Sequence, residues 1–438
     1  MFQTLNPLLV PAKTGGACAA VDAVTPVLRG VRPAALGTAL FTALCLHATA
    51  SAQTAEVLHW WTSKGESAAV QELATAFERA GGKWVDSAVA GGDNARNTLI
   101  NRLLGGKPPT VAQFTMTRQF NEIADEGVLV DMNAVAAQQG WDKVLPEPVQ
   151  RVVKVKGRYL GVPVGIHNPS WIWTSKAVLA KAGVTAEPQS MTEFFAALDK
   201  VRAIGVTPLA LGGQSWQEFS LFHTVLHASG GPALYTRFFT SKDGAVAETP
   251  EMKKVLTDFK RLKGYVDAGS PNRDWNLATA MIISDRAGFQ VMGDWAKGEF
   301  NSARKVAGKD YGCFLPFGPK ASYLLEGDLF IFPRSKDPKV LKAQQLFASV
   351  VMSPSVQTAF AAKKGAVPVR SDVDMSNADV CAQAGAAALK DSSRLLNTPE
   401  QMLDPDRAAQ MGDVVTKFWN TNQSVNDAAK ALGAALRY

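Results

Sequence analysis

From Val57 onward the chain alternates short apolar runs with segments of helical period, and this alternation restricts its fold more than any other feature. Strand and helix in repetition bury a sheet only when the helices cover its faces, which calls for a largely parallel sheet and an α/β architecture. Glu56-Val57-Leu58 enters as a buried strand, and Glu66 to Arg79 follows as an amphipathic helix. Lys83 to Ala90 reads as a second strand, Asn94 to Leu104 as a helix closed by Pro108-Pro109, and Thr110 to Phe114 as a third strand. Val152 to Val155 and Tyr159 to Val162 flank a hairpin tip at Lys156-Gly157-Arg158. Pro163 to Trp173, extended and holding two prolines, reads as a crossing between lobes. Further strands are expected at Val206 to Leu211, Ala287 to Met292, Tyr311 to Leu315 and Gly327 to Phe332, with mostly helix from Lys339 on.

A chain of 438 residues is too long for one core and implies two domains or lobes. Apolar residues at 47% and charged residues at 19% are globular values, which exclude a disordered or collagenous chain. The 46 Lys+Arg against 39 Asp+Glu give +7, but the basic residues are scattered, so no nucleic-acid partner is expected.

Arg29 and Arg32 precede an apolar stretch, Ala34 to Ala48, that ends in Ala50-Ser51-Ala52. A positive segment, a short apolar segment and a small-x-small site make residues 1–52 a signal peptide cleaved after Ala52, with export to the periplasm. Cys45 follows Leu44 rather than a small residue, which argues against a lipid anchor. Of the four cysteines, Cys313 and Cys381 lie beyond the leader, as one possible bridge or as two buried thiols. Neither has a CxxC spacing, so zinc and redox chemistry are not expected.

In open α/β sheets, ligands sit beyond the carboxyl ends of the strands. The stretch His59 to Glu66 occupies such an end, with Trp60 and Trp61 followed by Ser63, Lys64 and Glu66. Flat apolar faces beside hydrogen-bonding groups suit a sugar; packing of both indoles in the core is the alternative. Strand alternation sends the two indoles to opposite faces. Gln113-Phe114-Thr115, Gly212 to Trp216 and Gly293 to Glu299 are further strand ends with polar groups. Trp61, Trp275 and Trp295 with Lys64, Lys297 and Lys364 form a set suited to grasping hydroxyls. Glu66, Asp294 and Asp328 could instead pair as the carboxylates of a secreted glycoside hydrolase. His223 and His227 are four apart, but Thr-Val-Leu between them points to a packed helix face rather than a metal site. The chain has no Walker loop, no GxSxG elbow and no dinucleotide fingerprint, so no cofactor is expected.

The segments Leu58 to Ser63, Asp274 to Met281, Met292 to Glu299 and Lys364 to Arg370, in this order, resemble the glucose/mannose-binding proteins of bacterial ABC sugar importers. The likeness extends over nearly all of the mature chain. It implies a periplasmic-binding-protein fold of type II, the maltose-binding kind, with two α/β lobes around a ligand cleft. It also implies a monomeric receptor without catalysis, whose partners are a sugar and the membrane permease subunits of the importer. Residues 53–163 plus 288–328 would form one lobe, and 164–287 plus 329–438 the other. Trp61 and Trp295 would wall the sugar with Trp275 opposite, while Glu66, Gln113, Asp328 and Lys364 would take hydroxyls. Thr115 stands where the family places Lys or His, and no His follows His227 where the family has a contact His. Both departures leave the sugar open between a glucose- or mannose-like monosaccharide and a small glycoside. His167, on the crossing, could compensate or be structural.

Overall fold

Two sheets carry the structure, which is a computed structural model describing residues 53–318 and 320–437. The expected signal peptide, residues 1–52, and its cleavage site lie outside the described residues. In the first sheet the spatial order is Leu395–Asn397, Tyr323–Ile331, Val111–Thr115, Gln53–His59, Gly82–Ala88, and Gly161–His167 also pairs with Tyr323–Ile331. Gln53–His59 runs parallel to both Gly82–Ala88 and Val111–Thr115. Tyr323–Ile331 returns antiparallel between Val111–Thr115 and Gly161–His167. The second sheet has the order Tyr311–Phe314, Trp171–Ser175, Ala287–Met292, Thr207–Ala210.

The central strands Val111–Thr115 and Ala287–Met292 are buried at every position, as strands covered by helices on both faces must be. At the edge, Gly82–Ala88 alternates between half-buried and exposed. The helix Lys64–Arg79 begins with a capping box in which Ser63 Oγ accepts from the Glu66 N–H and the Glu66 carboxylate accepts from the Ser63 N–H. It buries the stripe Ala69, Val70, Leu73 and Phe77. The hairpin tip falls where expected, between Lys154–Val155 and Arg158–Tyr159. Lys156 and Gly157 both have positive φ there, as a tight two-residue turn demands.

The sheets divide the chain differently from the expected lobe boundaries. Ala287–Met292 and Tyr311–Phe314, expected with the first lobe, belong to the second sheet. Leu329 to Ile331, expected with the second lobe, continue a strand of the first. The helix Pro338–Val351 also packs on the first sheet: Phe347 meets Phe330 at 4.9 Å and Phe77 at 5.6 Å between ring centroids. The last helices, Pro405–Asn420 and Val425–Leu436, join the second core, where Trp419 meets Phe259 at 4.8 Å. A strand buried on both faces carries no local mark of which sheet it joins.

Cys313, on Tyr311–Phe314, and Cys381, in the first turn of the helix Val380–Leu389, form a disulfide. Of the two alternatives for these cysteines, the bridge is the one realised. Among the described residues no helix is long and apolar enough to cross a membrane.

Candidate functional site

The carboxyl ends of Gln53–His59 and Val111–Thr115, the antiparallel Tyr323–Ile331, and the end of Gly161–His167 converge on one region of the first sheet. Thr115 pairs with Asp328 through the backbone, and Glu326 lies opposite His167. Gln113, almost fully buried, accepts from the Trp60 backbone N–H at 3.0 Å and donates to Asp328 Oδ1 at 3.2 Å. It thereby couples the tryptophan turn to the returning strand.

The buried imidazole of His167 stands between two carboxylates, Asp294 Oδ1 at 2.5 Å and Asp328 Oδ2 at 3.0 Å. Burial alone favours the neutral ring, but Asp294 and Asp328 outweigh it and hold its pKa up to about 9. His167 is therefore an imidazolium at neutral pH. Burial pushes Asp328 up, and His167, Lys364 and Gln113 together hold it below the usual carboxylate range. Asp294 is tied to the crossing as well: its Oδ2 accepts from the Asn168 N–H at 3.0 Å, and its own N–H donates to the Asn168 carbonyl.

Lys364, the last residue of the helix Pro354–Lys364, is 3% exposed. Its ammonium lies 3.3 Å from Glu66 Oε1, 5.8 Å from the Trp61 ring and 5.7 Å from the Trp295 ring. Gly365 makes this placement possible. It has φ +95°, and a Cβ there would sit 2.2 Å from the Asp294 carbonyl oxygen. Gly65 serves the opposite wall, since its Cβ would meet the Gly298 backbone at 2.4 Å, and its N–H donates to Glu299 at 2.8 Å. The helices that follow Gln53–His59 and Ala287–Met292 thus pack against one another beside the cluster.

Of the expected site residues, Trp61, Glu66, Gln113, Trp295, Asp328 and Lys364 lie in one cluster. Trp61 is 2% exposed, packed edge-on against Phe330 at 5.7 Å and tilted on Phe360 at 5.3 Å, with no partner for Nε1 among the described residues. Trp60 is half-buried under the Arg96 guanidinium at 5.5 Å. Trp295 meets His167 at 5.8 Å and the exposed Trp216 at 6.4 Å. Trp275 begins the helix Trp275–Ile283 and makes no ring contact with Trp61 or Trp295 among the described residues. Lys64 is exposed on the first turn of its helix and forms no ion pair among the described residues. Lys297 serves the fold: it pairs at 2.7 Å with Asp379, which caps the helix that carries Cys381.

Sequence reasoning passed over Glu326 and Glu400. Glu326 is half-buried near Asp294, Asp328 and Glu400; burial, then Glu400, hold its carboxyl up to about 8. A glutamate two residues before Asp328, in an apolar strand, was the available signal. Ile166 and Leu325 alternate with His167 and Glu326 and line a separate hollow of about 800 Å³ on the other face of the same strands.

His223 and His227 are buried on their helix, and burial pushes both down to about 3, so they are neutral packing groups. Among the described residues no group of three or more His, Cys, Asp or Glu is placed to hold a metal ion. A mixed sheet and a second smaller sheet, closed over a buried set of paired charges and indoles, define a bilobed solute receptor. The chain belongs to the bacterial extracellular solute-binding protein family, whose model matches residues 61–387. It is 38% identical to a probable sugar-binding periplasmic protein of Mesorhizobium japonicum over 92% of this chain and 100% of that one. It is 41% identical to a protein of the same description from Rhizobium meliloti over 80% of this chain and 85% of that one. Among solved structures, a chitin oligosaccharide binding protein superposes with a TM-score of 0.74 at 18% identity, covering 87% of this chain and 98% of that one. Members of the family are non-catalytic receptors, which removes the glycoside hydrolase alternative. The candidate carboxylates agree with this: Glu66 is engaged by Lys364, and Asp294 and Asp328 share His167.

Proposed function

We propose that this chain is the periplasmic sugar receptor of an ABC importer, capturing a monosaccharide or small glycoside between two lobes and presenting it to membrane permease subunits. The observation that carries this is the meeting of Trp61, Trp295, Glu66 and Lys364 in one buried cluster beside Asp328 and Gln113. Indoles cover the C–H faces of a sugar, and charge-assisted bonds to its hydroxyls are the stronger kind. The probable sugar-binding relatives support the ligand class. We assign the fold to type II of the periplasmic binding proteins on the strand order, in which a late strand returns antiparallel between the third strand and Gly161–His167. Residues 53–167 with 323–372 would then form one lobe, and 171–314 with 398–437 the other. Export with cleavage after Ala52 and a monomeric state belong to the same proposal.

A thermal-shift and tryptophan-fluorescence screen over mono- and oligosaccharides, D-glucose and D-mannose included, tests it. A cognate sugar at about a hundred times its Kd stabilises the protein by about 2.7 kcal/mol. Neither a raised Tm nor an altered emission with any sugar of a broad panel would end the proposal. N-terminal sequencing of the exported protein should begin at Gln53.

A further inference from the structure

We propose that the ligand is a glycoside of at least two sugar residues, the first held in the buried cluster and the second stacked on Trp216; this rests on the sugar-receptor function above. Trp216 and Trp295 leave the same edge of the second sheet. Thr207–Ala210 and Ala287–Met292 are parallel neighbours, with Ala210 opposite Gln290, and the two indoles follow beyond their carboxyl ends. Ligands of open α/β sheets bind at that edge. Trp295 faces the cluster, with the Lys364 ammonium 5.7 Å and the His167 ring 5.8 Å from its own ring. Trp216 continues this wall toward solvent: its ring lies 6.4 Å from that of Trp295, and it is 39% exposed where Trp295 is half-buried. The rings are tilted by 51° and do not stack on one another, so each keeps a face for a sugar residue of its own. Their separation is comparable with the step between neighbouring rings of an oligosaccharide.

A single exposed indole is ordinary, but this one is fixed in place. Its Nε1 donates to Gln214 Oε1 at 3.0 Å, and the same oxygen accepts from Gln217 Nε2 at 2.8 Å. Gln214 Nε2 donates in turn to Asp274 Oδ1 at 2.7 Å. Asp274 is the N-cap residue of Trp275–Ile283 yet makes no capping bond to that helix; its carboxylate holds Gln214 instead. The backbone beneath is shaped for this arrangement. Gly213 donates its N–H to the Arg273 carbonyl at 3.1 Å, and a Cβ there would lie 2.3 Å from the Ser270 carbonyl oxygen. A Cβ on Gly212 would lie 2.0 Å from Gln217 Oε1. With its N–H already tied, Trp216 offers a ligand the flat of its ring and no donor. Such a face matches the C–H patch of a sugar ring whose hydroxyls stay in water, and the polar grip is left to Glu66, Asp328 and Lys364 on the first residue. A ring held before the ligand arrives loses little freedom on stacking, so more of the contact is realised as affinity.

Calorimetric titration of the mature protein with D-glucose, D-mannose, D-galactose and D-xylose, and with the α- and β-linked disaccharides of each, tests the proposal. One disaccharide should bind roughly tenfold or more tightly than its monosaccharide. Trp216→Ala should bring that ratio down to about threefold or less, whereas Trp216→Phe, which restores a flat apolar face, should keep it at about fivefold or more. A monosaccharide that binds as tightly as each of its disaccharides would overturn the second sugar residue and leave the sugar receptor standing. An equal loss for monosaccharide and disaccharide in Trp216→Ala, or no loss for either, would overturn the assignment to Trp216. Binding of no sugar at all would overturn both the extended ligand and the sugar receptor.

Discussion

Replacing His167 by leucine removes the one cation between two buried carboxylates while keeping much of the side-chain volume. Asp294 and Asp328 are each about 5% exposed, so neither can recover its solvation in water. Breaking a buried pair by deleting one partner costs about 3–5 kcal/mol. The pKa leads to a similar figure: a rise from 6.5 to about 9 corresponds to about 3 kcal/mol at about 1.4 kcal/mol per unit. Because the folded value lies above the unfolded one, this stabilisation is complete below pH 6.5 and is lost as pH rises through about 9. Glu326, held up to about 8, titrates with the same sign in an overlapping window, so the informative quantity is wild type minus variant. Urea unfolding followed by tryptophan emission should give a difference of about 3 kcal/mol or more at about pH 6, shrinking markedly by about pH 9.5. A cost below about 1 kcal/mol at the lower pH, or a difference that does not change with pH, would refute the buried imidazolium.

His223 and His227 act on the acid side. Their folded pKa values near 3 lie below the ordinary 6.5, so the unfolded chain binds more protons and stability falls as pH drops below 6.5. Each contributes a slope of up to about 1.4 kcal/mol per pH unit, and the variant His223→Leu with His227→Leu should flatten that limb of the urea-unfolding profile. Cys313→Ser with Cys381→Ser opens a loop spanning 68 residues, for which loop entropy predicts a loss of about 4 kcal/mol; a denaturant midpoint that matches wild type would contradict it. Trp61→Ala and Asp328→Ala should each weaken binding of the cognate sugar by about 1–3 kcal/mol in titration calorimetry. Wild-type affinity in both would remove these residues from the site.

The α/β class and much of the order of strands and helices were readable before any tertiary contact was known. Periodicity is a local property, and turn residues such as Lys156-Gly157 mark it sharply. Six of the nine suggested site residues meet in the cluster: Trp61, Glu66, Trp295 and Lys364 lie at or beside strand or helix ends, and Gln113 and Asp328 lie within paired strands of the first sheet. Lys64 and Trp275 lie at such ends too, yet Lys64 is exposed and Trp275 makes no ring contact with Trp61 or Trp295 among the described residues. Thr115 joins through its backbone pairing with Asp328.

What the amino-acid sequence by itself determined was which segments would be strands, which would be helices, and that their ends would carry indoles, amides and charges. The tertiary structure alone decided that Ala287–Met292 joins the second sheet and that Cys313 meets Cys381. It also decided that His167 is charged and that Glu326 lies opposite it on the neighbouring strand. The reason is physical: burial on both faces looks the same in every inner strand, and a side chain's protonation depends on charges brought near it by residues more than a hundred positions away.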